Sequence, residues 1–141
     1  MSWFNMKNYN IIYTDDLPES VGGRCEYSAI PLFGKCTIKI RPKYKDDIGL
    51  LNHELEHYRQ FRSNPLHALM YEYIDSYRYK CELKAYAEQI KEYKYTSVNQ
   101  CDWIITTLST KYKLSYNTRK NIIADVRSLY YKLKDNKWEV N

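Results

Sequence analysis

The chain has 141 residues, a net charge of +5 and 16 tyrosines; that length makes one domain with a core of its own, spanning 1–141. No apolar run approaches the ~18 residues of a membrane span, and Met1–Asn10 lacks the basic-then-apolar order of a secretory leader, so a cytoplasmic protein is expected. The four cysteines, Cys25, Cys36, Cys81 and Cys101, contain no C-x-x-C pair; this excludes a cysteine zinc cluster, and reduced thiols are expected over a Cys25–Cys36 disulfide.

Residues 10–42 are strand-rich. Ile11–Thr14 is short and β-prone, and Asp15-Asp16-Leu17-Pro18 follows as a turn. Gly22-Gly23 breaks the chain before a second strand, Arg24–Ile30, and Pro31–Gly34 makes a second turn. Lys35–Arg41 alternates polar and apolar residues, as a half-buried strand does, and Pro42 ends it. A small, mainly antiparallel sheet is expected.

Asp46 or Asp47 can cap a helix over 47–62. Its apolar positions Ile48, Leu51, Leu55 and Tyr58 fall on one stripe. The opposite side carries the most informative feature of the chain, His53-Glu54-Leu55-Glu56-His57. Residues four apart stack on one helix face, so both imidazoles can reach one metal ion. Leu55 lies opposite the midpoint of the two histidines, and Glu54 and Glu56 flank that midpoint at about 80° on either side. Helix geometry alone does not choose between these two carboxylates. Two histidines, an open coordination position and a nearby carboxylate are the parts of a zinc hydrolase. Asn52 or Gln60 could orient the imidazoles.

Ser63-Asn64-Pro65 reads as a cap with Pro at the first helical position, opening a helix over 65–94 that could contain a break. Tyr95-Thr96-Ser97 ends it. A helical pair over 98–134 follows, with stripes Val98, Cys101, Ile105, Leu108, Tyr112 and Ile122, Val126, Leu129, Leu133. Those stripes read as core packing rather than chemistry. The basic runs Lys39-Arg41-Lys43-Lys45 and Lys132-Lys134-Lys137 could touch nucleic acid, but charge this mild and scattered more often marks solvated faces.

A catalytic zinc takes three protein ligands and leaves a fourth position for water. Gln60 and Ser63 stand where an extended H-E-x-x-H-x-x-G-x-x-H motif would need Gly and His. His67 is not well placed, following a capped loop. The 65–94 helix offers Glu72, Asp75, Glu82, Glu88 and Glu92. Glu82 stands out by its surroundings, because Ala85 one turn later keeps that face small enough to lie against the histidine helix.

His53-Glu54-x-x-His57 followed by Glu82-x-x-Ala85, with Glu82 25 residues beyond His57, resembles the gluzincin branch of zinc metallopeptidases. The small single-domain members of phages and bacteria are the nearest in layout, and the likeness covers roughly residues 20–95 by pattern. The resemblance implies an α+β, zincin-like fold: a small N-terminal antiparallel sheet, an active-site helix, a glutamate-bearing helix and C-terminal helices. It implies one Zn2+ per chain on His53, His57 and Glu82, with Glu54 as the base that activates water. It also implies a peptide substrate paired along the 35–41 strand, and a Tyr or His that steadies the oxyanion; Tyr79 and Tyr86 share the side of Glu82. The ligand chemistry itself favours zinc. A zinc-dependent peptidase is the first reading. The alternative is a zinc-binding regulatory or interaction module of the same fold without turnover, with nucleic-acid association behind both.

Overall fold

A computed structural model describes residues 8–27, 35–93 and 98–139, the last without the side chains of 98 and 135–139. The predicted turn at 31–34, the extension of the second strand to 30 and the break at 95–97 lie outside these residues. The architecture is α+β.

Strands β1 (Tyr9–Tyr13), β2 (Gly23–Tyr27) and β3 (Cys36–Ile40) form a sheet in the order β1-β3-β2. β3 runs antiparallel to β2 and parallel to β1, so the sheet is mixed rather than mainly antiparallel. The reason is the 14–22 connection, which carries the chain to the far side of β3 instead of turning back as a hairpin. Arg41 pins that crossing: its guanidinium donates to the carbonyls of Val21 (2.7 Å), Leu17 (3.0 Å) and Pro18 (2.6 Å). The expected basic run is thereby largely engaged within the fold. Lys39 pairs with Glu26 at 3.2 Å, and Lys43 and Lys45 lie over the rings of Tyr44 and Tyr13.

β3 alternates buried and half-buried positions, as its sequence pattern predicts. It is the central strand, and both of its backbone edges are already bonded, to β1 and to β2. A peptide therefore cannot pair along 35–41, which corrects the expectation above: a strand has two hydrogen-bonding edges and this one has no edge left. The strand that borders the cleft above His53 and His57 is β2. Cys25 and Cys36 face α1 from diagonal positions with their Cα atoms 6.5 Å apart, and they are paired as a disulfide where separate thiols were expected.

The helices are α1 (Ile48–Ser63), α2 (His67–Tyr73), α3 (Asp75–Lys91), α4 (Val98–Thr110), α5 (Tyr116–Arg119) and α6 (Ile122–Glu139). Asp47 caps α1 by accepting from the Leu50 amide at 3.0 Å. The predicted 65–94 helix is two helices, broken at Ile74, whose backbone is extended. Arg78 makes the break affordable by donating to the freed carbonyls of Tyr71 (2.6 Å) and Glu72 (3.1 Å). The same guanidinium holds the carbonyls of Tyr112 and Lys113 beyond α4. The second predicted C-terminal helix is likewise divided, into α5 and α6.

Two apolar cores result. In one, Leu50, Leu51, Leu55 and Tyr58 of α1 cover Cys36, Ile38 and Ile40 of the sheet. In the other, Tyr86 and Ile90 of α3 pack with Cys101, Ile104 and Leu108 of α4 and Ile122, Val126 and Leu133 of α6. Each fully buried aliphatic side chain contributes roughly 1.5–3 kcal/mol. Between the cores runs the antiparallel seam of α1 and α3. Ala85 is fully buried there, and Gly49 is as close on the other helix: a methyl at Gly49 would lie 2.7 Å from the Gln89 carbonyl oxygen. Gly49→Ala should therefore push the helices apart and destabilise the fold by about 1–3 kcal/mol, seen as a lower denaturant midpoint.

Candidate metal centre

α1 and α3 place the site by opposing their inner faces. His53 and His57, one turn apart, point their Nε2 atoms at the Glu82 carboxylate: His53 to Oε1 at 3.4 Å and His57 to Oε2 at 3.1 Å. These three side chains are buried and offer ligand atoms that all lie within 4.8 Å of one another. Neighbouring donors around a tetrahedral zinc stand about 3.3 Å apart, given bonds of ~2.0–2.1 Å. The donor set and spacing fit a metal ion.

The outer ring nitrogens support that fit. His57 Nδ1 meets Gln60 Oε1 at 3.0 Å, and His53 Nδ1 meets Gln89 Oε1 at 3.0 Å. Both amides are oriented by what their nitrogens do. Gln60 Nε2 donates to the Cys81 carbonyl (3.0 Å) and to Glu56 (3.2 Å), and Gln89 Nε2 donates to the Tyr93 hydroxyl (3.0 Å), which in turn donates to Asp47 (3.4 Å). An amide oxygen only accepts, so each Nδ1 carries a hydrogen, and Nε2 is the atom that each imidazole, once neutral, can offer to a metal. Tyr71 completes the set by donating to Glu82 Oε2 at 2.5 Å.

Glu82 is 2% exposed. Burial pushes its carboxyl up, but the charge of His57 and the contacts with both imidazoles outweigh burial and hold it well below the usual carboxylate range. Burial pushes His57 down, and Glu82 overcomes this and raises it to about 9. Hydrogen-bonded Tyr71 is raised, by burial first and by Glu82 second.

The carboxylates flanking the histidines separate clearly. Glu56 is tied to Arg59 at 3.2 Å and to Gln60. Glu54 lines the cleft beside the histidines, its Cγ under Gly23 of β2, and among the described residues it accepts no hydrogen bond and forms no ion pair. Of the rival carboxylates, Glu88 pairs with Lys91 and Asp75 accepts from the Ser115 amide, and neither these nor Glu72 joins the histidines among the described residues. Tyr79 points away and donates to Asp125 at 2.6 Å.

The cleft holds about 1070 Å³. β2 with Gly22 and Gly23 forms its strand side, the histidines and Glu82 its floor, and Tyr86, Trp103, Thr107 and Tyr112 its helical side. α4 was expected to serve only as packing; its Cys101-Ile104-Leu108 stripe does so, while its other face lines the cleft. Tyr71, Gln89 and Tyr93 also escaped the sequence reading. Gln89 lies one turn beyond Ala85 on the helix face shared with Glu82, which is the only sign of it.

Comparison with family models, curated proteins and solved structures gives no match.

Two outcomes follow from the geometry of the site. At neutral pH the metal-free site carries a proton on His57, whose imidazole must be neutral to ligate. Metal binding should release one proton, and affinity should rise about tenfold per pH unit up to about pH 9; calorimetry in buffers of different ionisation enthalpy measures both. Gln89→Leu should weaken metal affinity roughly 10–100-fold without unfolding the chain, as read by competition with a chromogenic chelator.

The third histidine behaves differently. His67 is fully buried, accepts or donates at Nδ1 with the Tyr77 hydroxyl (2.8 Å), and has no partner at Nε2 among the described residues. Burial pushes it down to about 4. The unfolded chain thus takes up a proton near pH 6.5 that the folded chain refuses until about 4, so stability should fall as pH is lowered through that window. His67→Gln should flatten this slope in urea titrations.

Proposed function

We propose that the chain is a small zinc-dependent peptidase of gluzincin type with a zincin-like fold. The observation that carries this is the convergence of His53 Nε2, His57 Nε2 and the Glu82 carboxylate, with both Nδ1 atoms held by amide oxygens, beside a Glu54 carboxylate left free on the cleft. A structural metal site has no use for that free carboxylate.

His53, His57 and Glu82 would hold one zinc, and zinc supplies Lewis acidity and a more acidic water. Glu54 then takes the proton of the attacking water as it adds to the peptide carbonyl. When the carbon–nitrogen bond breaks, Glu54 returns that proton to the leaving amine. Gln60, Gln89 and Tyr71 keep the ligand atoms in place through the cycle. The peptide would lie extended along β2, whose outer edge borders the cleft, rather than along 35–41.

Purified protein should contain close to one zinc per chain by elemental analysis, and Glu82→Ala should lose it. Glu54→Gln should keep the metal yet lower peptide hydrolysis by at least ~100-fold. Full activity in Glu54→Gln, or zinc retained without Glu82, would overturn the assignment. Zinc binding with no hydrolysis of any peptide by the wild type would leave the interaction-module reading.

A further inference from the structure

The helical side of the cleft is aromatic from the metal site to its mouth. Tyr86 packs its edge against His53, with ring centroids 4.5 Å apart, and Trp103 packs perpendicular to Tyr86 at 5.5 Å. Trp103 is 48% exposed, although α4 buries Ile104 and Leu108 completely. An indole left half in water on a cleft wall, in contact with a ring that touches a metal-binding histidine, is surface available for a ligand.

Several hydroxyls of this wall already have partners within the fold. The hydroxyls of Tyr86 and Tyr112 bond to each other at 2.7 Å. Thr107 donates to the Trp103 carbonyl and Thr110 to the Thr106 carbonyl, both at 2.8 Å within their own helix. Trp103, Thr107 and Thr110 share one face at helical spacing. With the Thr107 and Thr110 hydroxyls turned to the backbone, that face offers ring carbons and methyl groups to the cleft. On the strand side Gly22 and Gly23 carry no side chains to compete for the space.

We infer that Tyr86, Trp103 and Thr107 form a subsite for an aromatic or large aliphatic side chain of the peptide substrate, so that the protein selects its substrates by such a residue beside the reacting bond. This rests on the peptidase reading, and it assigns to the C-terminal helices the choice of substrate. The Tyr86–Trp103 surface is mostly ring carbon, so discrimination at this subsite comes from apolar area removed from water.

The test uses zinc-loaded Glu54→Gln protein and fluorescein-labelled octapeptides of Ala and Ser carrying one Phe, Leu or Asp at each position in turn. At a defined position, Phe or Leu should tighten binding about tenfold over the parent peptide, and Asp should not. Trp103→Ala and Thr107→Glu should each return the Phe peptide to the parent affinity while zinc content and circular dichroism stay unchanged; Trp103→Phe should keep the preference. Equal binding of all peptides, or a preference that survives Trp103→Ala in folded, zinc-loaded protein, would overturn the subsite. The two readings fail separately. Selective binding with no cleavage by wild type removes the peptidase and leaves the subsite; cleavage indifferent to side chain removes the subsite and leaves the peptidase.

Discussion

A carboxylate buried between two apolar cores governs this protein. Glu82 is almost wholly withdrawn from water, and an unpaired charge there would cost several kcal/mol. The surrounding residues are arranged to meet that cost. Both imidazoles face it, Tyr71 donates to it, and without metal a proton on His57 balances it. A divalent cation would serve the same electrostatic need with stronger bonds. Site and stability are therefore one problem, because the groups that would bind metal also keep α1 and α3 compatible.

That dependence extends outward through hydrogen bonds rather than through packing. Gln89 links His53 to Tyr93, and Tyr93 links onward to Asp47, the residue that caps α1. Gln60 links His57 to the backbone of α3 at Cys81. The first chain leaves α1, passes through α3 and returns to the start of α1, and the second runs from α1 to α3, so the seam is cross-tied at both ends. Gly49 and Ala85 supply the room, since larger side chains there would hold the helices beyond hydrogen-bonding reach. Two arginines brace the walls from outside: Arg41 anchors the loop that leads into β2, and Arg78 joins the α2 end to the residues after α4.

The functional groups consequently lie on rigid elements, and the opening lies between elements. The candidate ligands come from the middle of two helices, where backbone position is set by continuous hydrogen bonding. The cleft is bounded by a strand edge and a helix face that belong to different cores. Under the proposed function, α4 could vary in substrate choice without disturbing the seam that would hold the metal.

Much of the centre was legible in the sequence because its information is local. His53 and His57 are one turn apart, so helix periodicity alone puts them on one face, and Asp47 marks the helix start by its capping chemistry. Glu82 was legible through its small neighbour Ala85 and the family resemblance, and the alternation in Lys35–Arg41 predicted the buried face of β3. What periodicity could not supply was anything that depends on partners distant in sequence. The position of β3 at the centre of a mixed sheet follows from the path of the 14–22 connection, which has no local signature. The break at Ile74 needs Arg78 to satisfy carbonyls, and a sequence does not state where a long side chain will reach. The choice between Glu54 and Glu56, equivalent on a helical wheel, was made by what packs beside them: an open cleft under Gly23 for one, Gln60 and Arg59 for the other. The roles of Gln89, Tyr71 and Trp103 likewise arise only once α2, α3 and α4 come together. The sequence by itself determined which residues could ligate and which face of each element would be buried, since both follow from short-range geometry. The tertiary structure decided which carboxylate meets the cleft, which strand edge is open and what the cleft wall is made of, because those depend on contacts that the chain makes only by closing on itself.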